Sequence, residues 1–190
     1  MRTNARDRII STAARLFRER GVTGTGVLTV LAEAQAPRGS LYHHFPGGKD
    51  QLVVAALRYE SDRVTGQLRA LLAEDVDEST ALTLFAEALA TDLEQSGFRL
   101  GCPVSTATLE LASDNDEIRT VCSATYQAWT RLVADHLLRR GFDASAADAH
   151  AELVVAAFEG ALLLARAARN ADALRRVAKS LSGYAAELRR

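Results

Sequence analysis

Apolar residues recur at helical spacing along nearly the whole chain. Ile9, Ala13, Leu16 and Phe17 fall at i, i+4, i+7 and i+8, one face of an amphipathic helix over residues 4–20. Asn4 or Thr3 can cap its start and Gly21 its end. A shorter helix, Val27 to Glu33, turns Val27, Val30 and Leu31 inward, with Thr25 or Gly26 as its cap. After the turn "AQAP", Pro37 suits a first helical turn, where a missing N–H costs nothing. The spacing therefore predicts a third helix from Pro37 to His43, stopped by the turn Pro46 to Gly48. Two short helices joined by a tight turn and backed by a longer one make a helix-turn-helix arrangement.

Beyond this point the helical pattern continues with short breaks. Predicted helices cover 49–74, Ser79 as cap through Gln95, and Pro103 to Ala112. Another follows the capping turn "SDND" (113–116) and runs to Arg140, where Gly141 ends it and Arg139 and Arg140 face the negative end of the dipole. Ser145 and Asn170 read as caps of two final helices, and "SGFRLGCP" (96–103) is an irregular break. The expectation is an all-α protein of about nine helices. A three-helix helix-turn-helix domain, 1–48, precedes a helical bundle, 49–190.

The last two helices differ in how much cover they need. "AELVVAAFEGALLLA" (151–165) is apolar nearly all round, so both of its sides must be covered. The final helix carries one stripe, Leu174, Val177, Ala178, Leu181, Tyr184, Ala185 and Leu188, opposite Arg175, Arg176 and Lys179. Leu153, Ala157, Gly160, Ala161 and Leu164 with Leu174, Val177, Leu181 and Tyr184 are the candidate twofold dimer interface. The competing reading has both helices complete a monomer core.

Composition narrows the class. With 190 residues, 48% hydrophobic and 25% charged, the chain is an ordinary globular one that can bury a core. Its longest apolar run, Leu153 to Ala165, is interrupted by Glu159, so no membrane span is expected, and the polar N-terminus has no signal-peptide core. Cys102 and Cys122 cannot build a disulfide framework, which suits the cytoplasm. The net charge of −1 hides an asymmetry. Residues 1–50 hold eight basic residues (Arg2, Arg6, Arg8, Arg15, Arg18, Arg20, Arg38, Lys49) against four acidic ones, and the remainder fifteen against twenty. A basic end on an acidic body points to a polyanion partner there and away from nonspecific coating of DNA.

The adjacent His43 and His44 invite a catalytic or metal reading, which spacing removes. Adjacent helical side chains point about 100° apart, and no third His or Cys lies near in sequence. A nucleophile with an orienting base is also lacking nearby, and no Gly-rich phosphate loop or acid–base pair occurs elsewhere. Neither an enzyme nor a cofactor is expected. Phosphate contact, or packing of His44 beneath Phe45, fits these residues better.

"ARDRIISTAARLFRERG" followed by "TVLAEAQAPRGSLYHHFPGGKDQL" resembles the DNA-binding domain of the TetR family of transcriptional regulators, across residues 5–52. "FPGGK" and "GCPVSTATLELASDND" (101–116) are similar to its LmrA/YxaF-like branch. The resemblance implies that Arg38, Gly39 and Ser40 enter the major groove, Arg38 as a guanine reader. It implies that Tyr42, His43 or His44, and Lys49 hold phosphates, His43 being the favoured histidine, and Thr25 joins this DNA-facing set. Leu41 and Phe45 are the anchors expected to pack on Phe17 and Leu31. The turn before Lys49 is one residue longer than in many members.

The family also implies a small-molecule pocket in the bundle. Candidate liners are Phe85, Leu89, Phe98, Leu100, Cys102, Thr106, Leu109, Tyr126, Trp129 and Leu132, suited to a lipophilic or aromatic ligand. Each is also a normal core residue. Cys102 has no basic neighbour nearer than Arg99 and is not read as a thiol sensor. The expected protein is a cytoplasmic homodimeric repressor on a palindromic double-stranded DNA operator, released by ligand through the 49–74 helix. The alternative is a ligand-independent regulator with a filled core.

Overall fold

The computed structural model describes residues 4–73 and 76–188, and among them are nine helices and no strand. They are α1 (Ala5–Arg20), α2 (Val27–Glu33), α3 (Ser40–His44), α4 (Gly48–Leu71), α5 (Glu78–Gln95), α6 (Pro103–Leu111), α7 (Asp116–Arg139), α8 (Ala144–Ala168) and α9 (Asp172–Leu188). The all-α expectation holds. Arg2, Thr3 and Glu74, used above as a charge, an alternative cap and a helix end, lie outside the described residues.

The helix ends follow local chemistry. Asn4 Oδ1 accepts from Asp7 N at 2.9 Å and caps α1. Gly26, not Thr25, stands at the start of α2. α3 begins at Ser40 rather than Pro37, because residues 37–40 form a turn closed by Ser40 N donating to Pro37 O at 2.9 Å. α5 is capped by Asp77 and α8 by Asp143, each carboxylate accepting from the third residue on; the expected caps Ser79 and Ser145 lie inside those helices. Asn170 does serve α9, accepting from Asp172 N at 2.7 Å. Two helices close with paired reverse bonds around a left-handed glycine: Gly97 (φ 63°) after α5 and Gly141 (φ 89°) after α7. The end of α2 uses Gln35 (φ 52°) for the same purpose, and no glycine announces it in the sequence.

Contacts gather the chain into two compact units. The first holds residues 1–63 and 102–125, and the second 64–101 and 126–190; α4 and α7 contribute to both. The grouping by contact thus differs from a cut at residue 48, because α6 and the start of α7 join the N-terminal helices. In the first unit Ile9, Leu16, Phe17, Val22, Leu31, Phe45, Leu52, Leu57, Val104 and Ile118 are buried. Leu41 and Phe45 are both inward, as expected of anchors.

The second unit is built on α5, α8 and α9. Leu82, Ala86, Ala90 and Leu93 of α5 meet Ala151, Val154, Phe158 and Ala161 of α8, and Leu174, Ala178 and Leu181 of α9. Small residues at these seams let the helix axes approach closely. Phe85 and Phe158 touch edge to face at 5.0 Å. Arg175 on α9 forks onto Glu87 of α5 at 2.9 and 3.0 Å, and the same guanidinium reaches Glu94 at 3.4 Å. These are exposed pairs that orient α9 more than they stabilise it. Part of the stripe predicted on α9 is thereby consumed within the chain: Leu174 and Leu181 are buried, as is Ala161 of α8. Those three are core residues, which corrects their assignment to a dimer surface. Leu153, Gly160, Leu164 and Tyr184 remain exposed and Ala157 and Val177 half-buried. No described helix is long and apolar enough to cross a membrane.

Candidate nucleic-acid interface

α3 is only five residues long, and its two sides are unlike. Leu41 points into the first unit and Phe45 ends the helix at 0% exposure, with the Arg6 guanidinium 5.5 Å over its ring. On the other side Arg38, Gly39, Tyr42 and His43 are exposed and Ser40 half-buried, and Tyr42 reaches 70% exposure. A tyrosine so exposed, held on a helix this short, has its hydroxyl free for an outside partner. Gly39 has φ −69°, which any residue can adopt, and a Cβ there would meet nothing within 4 Å. The fold itself therefore makes no demand for glycine at 39; a closely approaching external surface would.

The two histidines differ in exposure. His43 is exposed, whereas His44 is half-buried, lying edge-on to His43 at 4.6 Å and to Phe45 at 6.4 Å. Among the described residues no group of three His, Cys, Asp or Glu could hold a metal.

Two members of the predicted set face inward instead. Thr25 is 1% exposed and its hydroxyl donates to Gly21 O at 2.6 Å, so its side chain shapes the turn between α1 and α2. Lys49 turns its ammonium back to Val22 O at 2.8 Å and is half-buried. As placed it ties the first turn of α4 to the same α1–α2 turn, rather than offering its charge to a phosphate. The sequence could not show this, because a lysine at a helix start reads as a surface cation until its partner is known.

The basic end is also less open than its charge count implies. Arg15 bonds Glu33 and, at 3.0 Å, Glu19; Arg20 lies 3.7 Å from Glu33; Arg8 donates to Ala34 O at 3.3 Å. The Glu33 contact is the first cause of a raised Arg15 pKa. These pairs brace α1 on α2 and leave Arg38 as an exposed base beside α3.

A match to "Bacterial regulatory proteins, tetR family" covers residues 9–56, which hold α2, α3 and most of α1. A second match, "Transcriptional regulator LmrA/YxaF-like, C-terminal domain", covers 79–180, more than half of the chain. The chain belongs to the TetR family. It is similar to the HTH-type transcriptional regulator YxaF of Bacillus subtilis, with 32% identity over 86% of this chain and 85% of the relative. It is also similar to the HTH-type transcriptional regulator LmrA of the same organism, with 30% identity over 90% and 91%. Among solved structures, the regulatory protein TetR from Rhodobacter sphaeroides superposes with a TM-score of 0.84 at 25% identity, over 94% of this chain and 97% of that one. The regulator is thus a DNA-binding transcription factor, and its relatives are regulators rather than enzymes.

The ligand-facing candidates divide between the two units. In the second, Phe85, Leu89 and Phe98 pack on the α5–α8–α9 core, Leu100 and Leu132 are half-buried, and Tyr126 meets Trp129 edge to face at 5.7 Å. Phe98 has φ 61°, a left-handed conformation unusual for an aromatic residue, held by its packing and by Phe98 N bonding Leu93 O at 2.7 Å. In the first unit Cys102 is half-buried at the head of α6. Leu109 is 80% exposed, so it lines no interior of this chain and its assignment is corrected, whereas Thr106 is half-buried with its Cγ2 toward Gly21. The Cys122 thiol is pushed up by burial, partly offset by Thr108, and it stays protonated at neutral pH.

The α7 face carries buried polar atoms. Trp129 Nε1 and both ring nitrogens of His136 are buried with no hydrogen-bond partner among the described residues. Burial, the largest cause, lowers the His136 pKa, and the charges of Arg139 and Arg140 add to it. The Leu72 carbonyl, already accepting from Arg139, and the more remote Glu78 oppose the shift without a hydrogen bond of normal geometry to the ring. His136 is therefore neutral at pH 7, one nitrogen a donor and the other an acceptor.

Proposed function

We propose that the regulator is a homodimeric, ligand-responsive repressor that binds a palindromic operator through α3. The carrying observation is the two-sided α3: Leu41 and Phe45 anchored, Arg38, Tyr42 and His43 outward, and a glycine at 39 that the fold does not require. Arg38 would read a guanine edge, and Tyr42 and His43 would hold phosphates. A dimer would place two such helices in successive major grooves, about 34–36 Å apart.

Dimerisation is supported by α8. Leu153, Gly160, Leu163 and Leu164 form an exposed apolar face opposite the face that packs on α5 and α9. A helix apolar on both sides needs a second cover, and small residues permit a close twofold crossing. Ligand response is supported by the orphaned Trp129 and His136 nitrogens, because buried polar atoms without partners are costly unless something meets them. They favour a lipophilic ligand carrying hydrogen-bonding groups over a filled, ligand-independent core. Cytoplasmic location follows from DNA as the partner.

The test is Tyr42→Ala. Operator affinity should fall roughly tenfold or more through loss of a charge-assisted phosphate bond, with the thermal midpoint and the dimer unchanged. Unchanged affinity would reject α3 as the reading element.

A further inference from the structure

The turn between α1 and α2 is held by a residue 88 positions away in sequence. Glu110, near the end of α6, accepts from Val22 N at 2.9 Å and Thr23 N at 2.8 Å, both through Oε2. The Val22–Thr23 peptide is gripped on its other side as well, since Val22 O accepts from Lys49 Nζ of α4 at 2.8 Å. One peptide unit thus joins α6, α4 and the turn that launches α2. The fit is close: a Cβ on Gly21 would stand 2.4 Å from Glu110 Oε1 and 3.3 Å from Thr106 Cγ2. Thr106 and Glu110, one helical turn apart, press on Gly21, which has no side chain to meet them. The same Gly21 carbonyl takes the Thr25 hydroxyl at 2.6 Å, so a shift at Gly21 passes directly to the start of α2.

We infer that Glu110 is a positioning residue through which the placement of α6 is imposed on the DNA-reading helices. This rests on the reading of the protein as a DNA-binding regulator. A carboxylate accepting two adjacent backbone N–H groups is a stiff tether, and the part-buried Val22 N–H has most to lose without it. α2 backs α3, and the α1–α2 turn sets where α2 begins. A displacement of α6 therefore moves the α1–α2 turn, and occupancy of DNA by α3 restrains α6 in return. Glu110 touches neither base nor phosphate in this scheme. Its effect on DNA passes through the Val22 and Thr23 amides.

The test compares Glu110→Ala and Glu110→Gln in the full chain, by hydrogen exchange and by DNA binding. The probe is a duplex selected from a random pool by the wild-type protein. Without DNA, Val22 and Thr23 amides should exchange roughly tenfold faster in the alanine variant, and within about threefold of wild type in the glutamine variant, whose amide oxygen can still accept. With DNA, wild type and Glu110→Gln should gain protection in residues 104–111, and Glu110→Ala should not. A merely structural role would slow or speed exchange equally with and without DNA. Unchanged amides at 22 and 23, or DNA-dependent protection of α6 that survives in Glu110→Ala, would overturn the inference. A wild-type chain that selects no duplex would instead overturn the DNA-binding reading, and this inference with it, whatever the amides do.

Discussion

Gly21→Ala concentrates several features of the fold in one methyl group. Gly21 has φ 77° and ψ 170°, a region open essentially to glycine alone. Holding alanine there costs about 1–3 kcal/mol. The added Cβ also meets Glu110 Oε1 at 2.4 Å, so the carboxylate must swing away from Val22 N and Thr23 N. Losing two bonds to a charged acceptor that is half in solvent adds about 1.5–3 kcal/mol. The expected total is about 2.5–6 kcal/mol, a large share of the 5–15 typical of a domain. In a urea titration followed by far-UV circular dichroism, this lowers the midpoint of the affected transition by about 1.3–3 M at a slope near 2 kcal/mol/M. The double mutant separates the two parts. With Glu110 already replaced by alanine, the clash is gone and Gly21→Ala should cost only the backbone share, leaving a coupling of about 1.5–3 kcal/mol. A loss below about 0.5 kcal/mol, or an equal loss in both backgrounds, would refute the close packing of α6 on the turn.

Other outcomes follow from burial and charge. Leu164→Asp, on the exposed face of α8 (63%), should yield a folded monomer in sedimentation, whereas Leu181→Asp, 4% exposed in the core, should unfold the second unit. A dimer surviving Leu164→Asp would move the interface elsewhere. His136 has a folded pKa below its ordinary 6.5, so its contribution to stability is present above about pH 6.5 and is lost as pH falls from there through the lowered folded value. The wild-type urea midpoint should therefore drop between pH 7 and pH 5 more than that of His136→Gln, and equal slopes would exclude His136 as the cause.

The elements were largely legible from the chain. Helical period, the Gly21 and Gly141 stops and the Asn4 cap are local signals, carried by residues within about four positions of one another. Gln35 was not legible, because a left-handed residue that is not glycine leaves no mark. The caps at Asp77 and Asp143 were missed for a different reason: a serine two residues further along offers the same chemistry, and only backbone geometry selects between them. Of the residues expected to face DNA, Arg38, Tyr42 and His43 are exposed, while Thr25 and Lys49 are bonded to backbone carbonyls of the α1–α2 turn.

By itself, the sequence determined the helices, the family and the residues on each face, since amphipathic period and the "RGSLYHHF" motif are written in consecutive positions. It could not determine what covers a face. The stripe of α9 reads the same whether a partner or its own α5 and α8 bury it, and the structure gives Leu174 and Leu181 to the chain's own core while leaving Leu153 and Leu164 of α8 outside. Nor could it pair Glu110 with Val22, because a carboxylate on a short helix carries no sign of which distant amides it will meet. Those choices belong to long-range packing, where many alternatives of equal local merit are separated only by the whole set of contacts made at once.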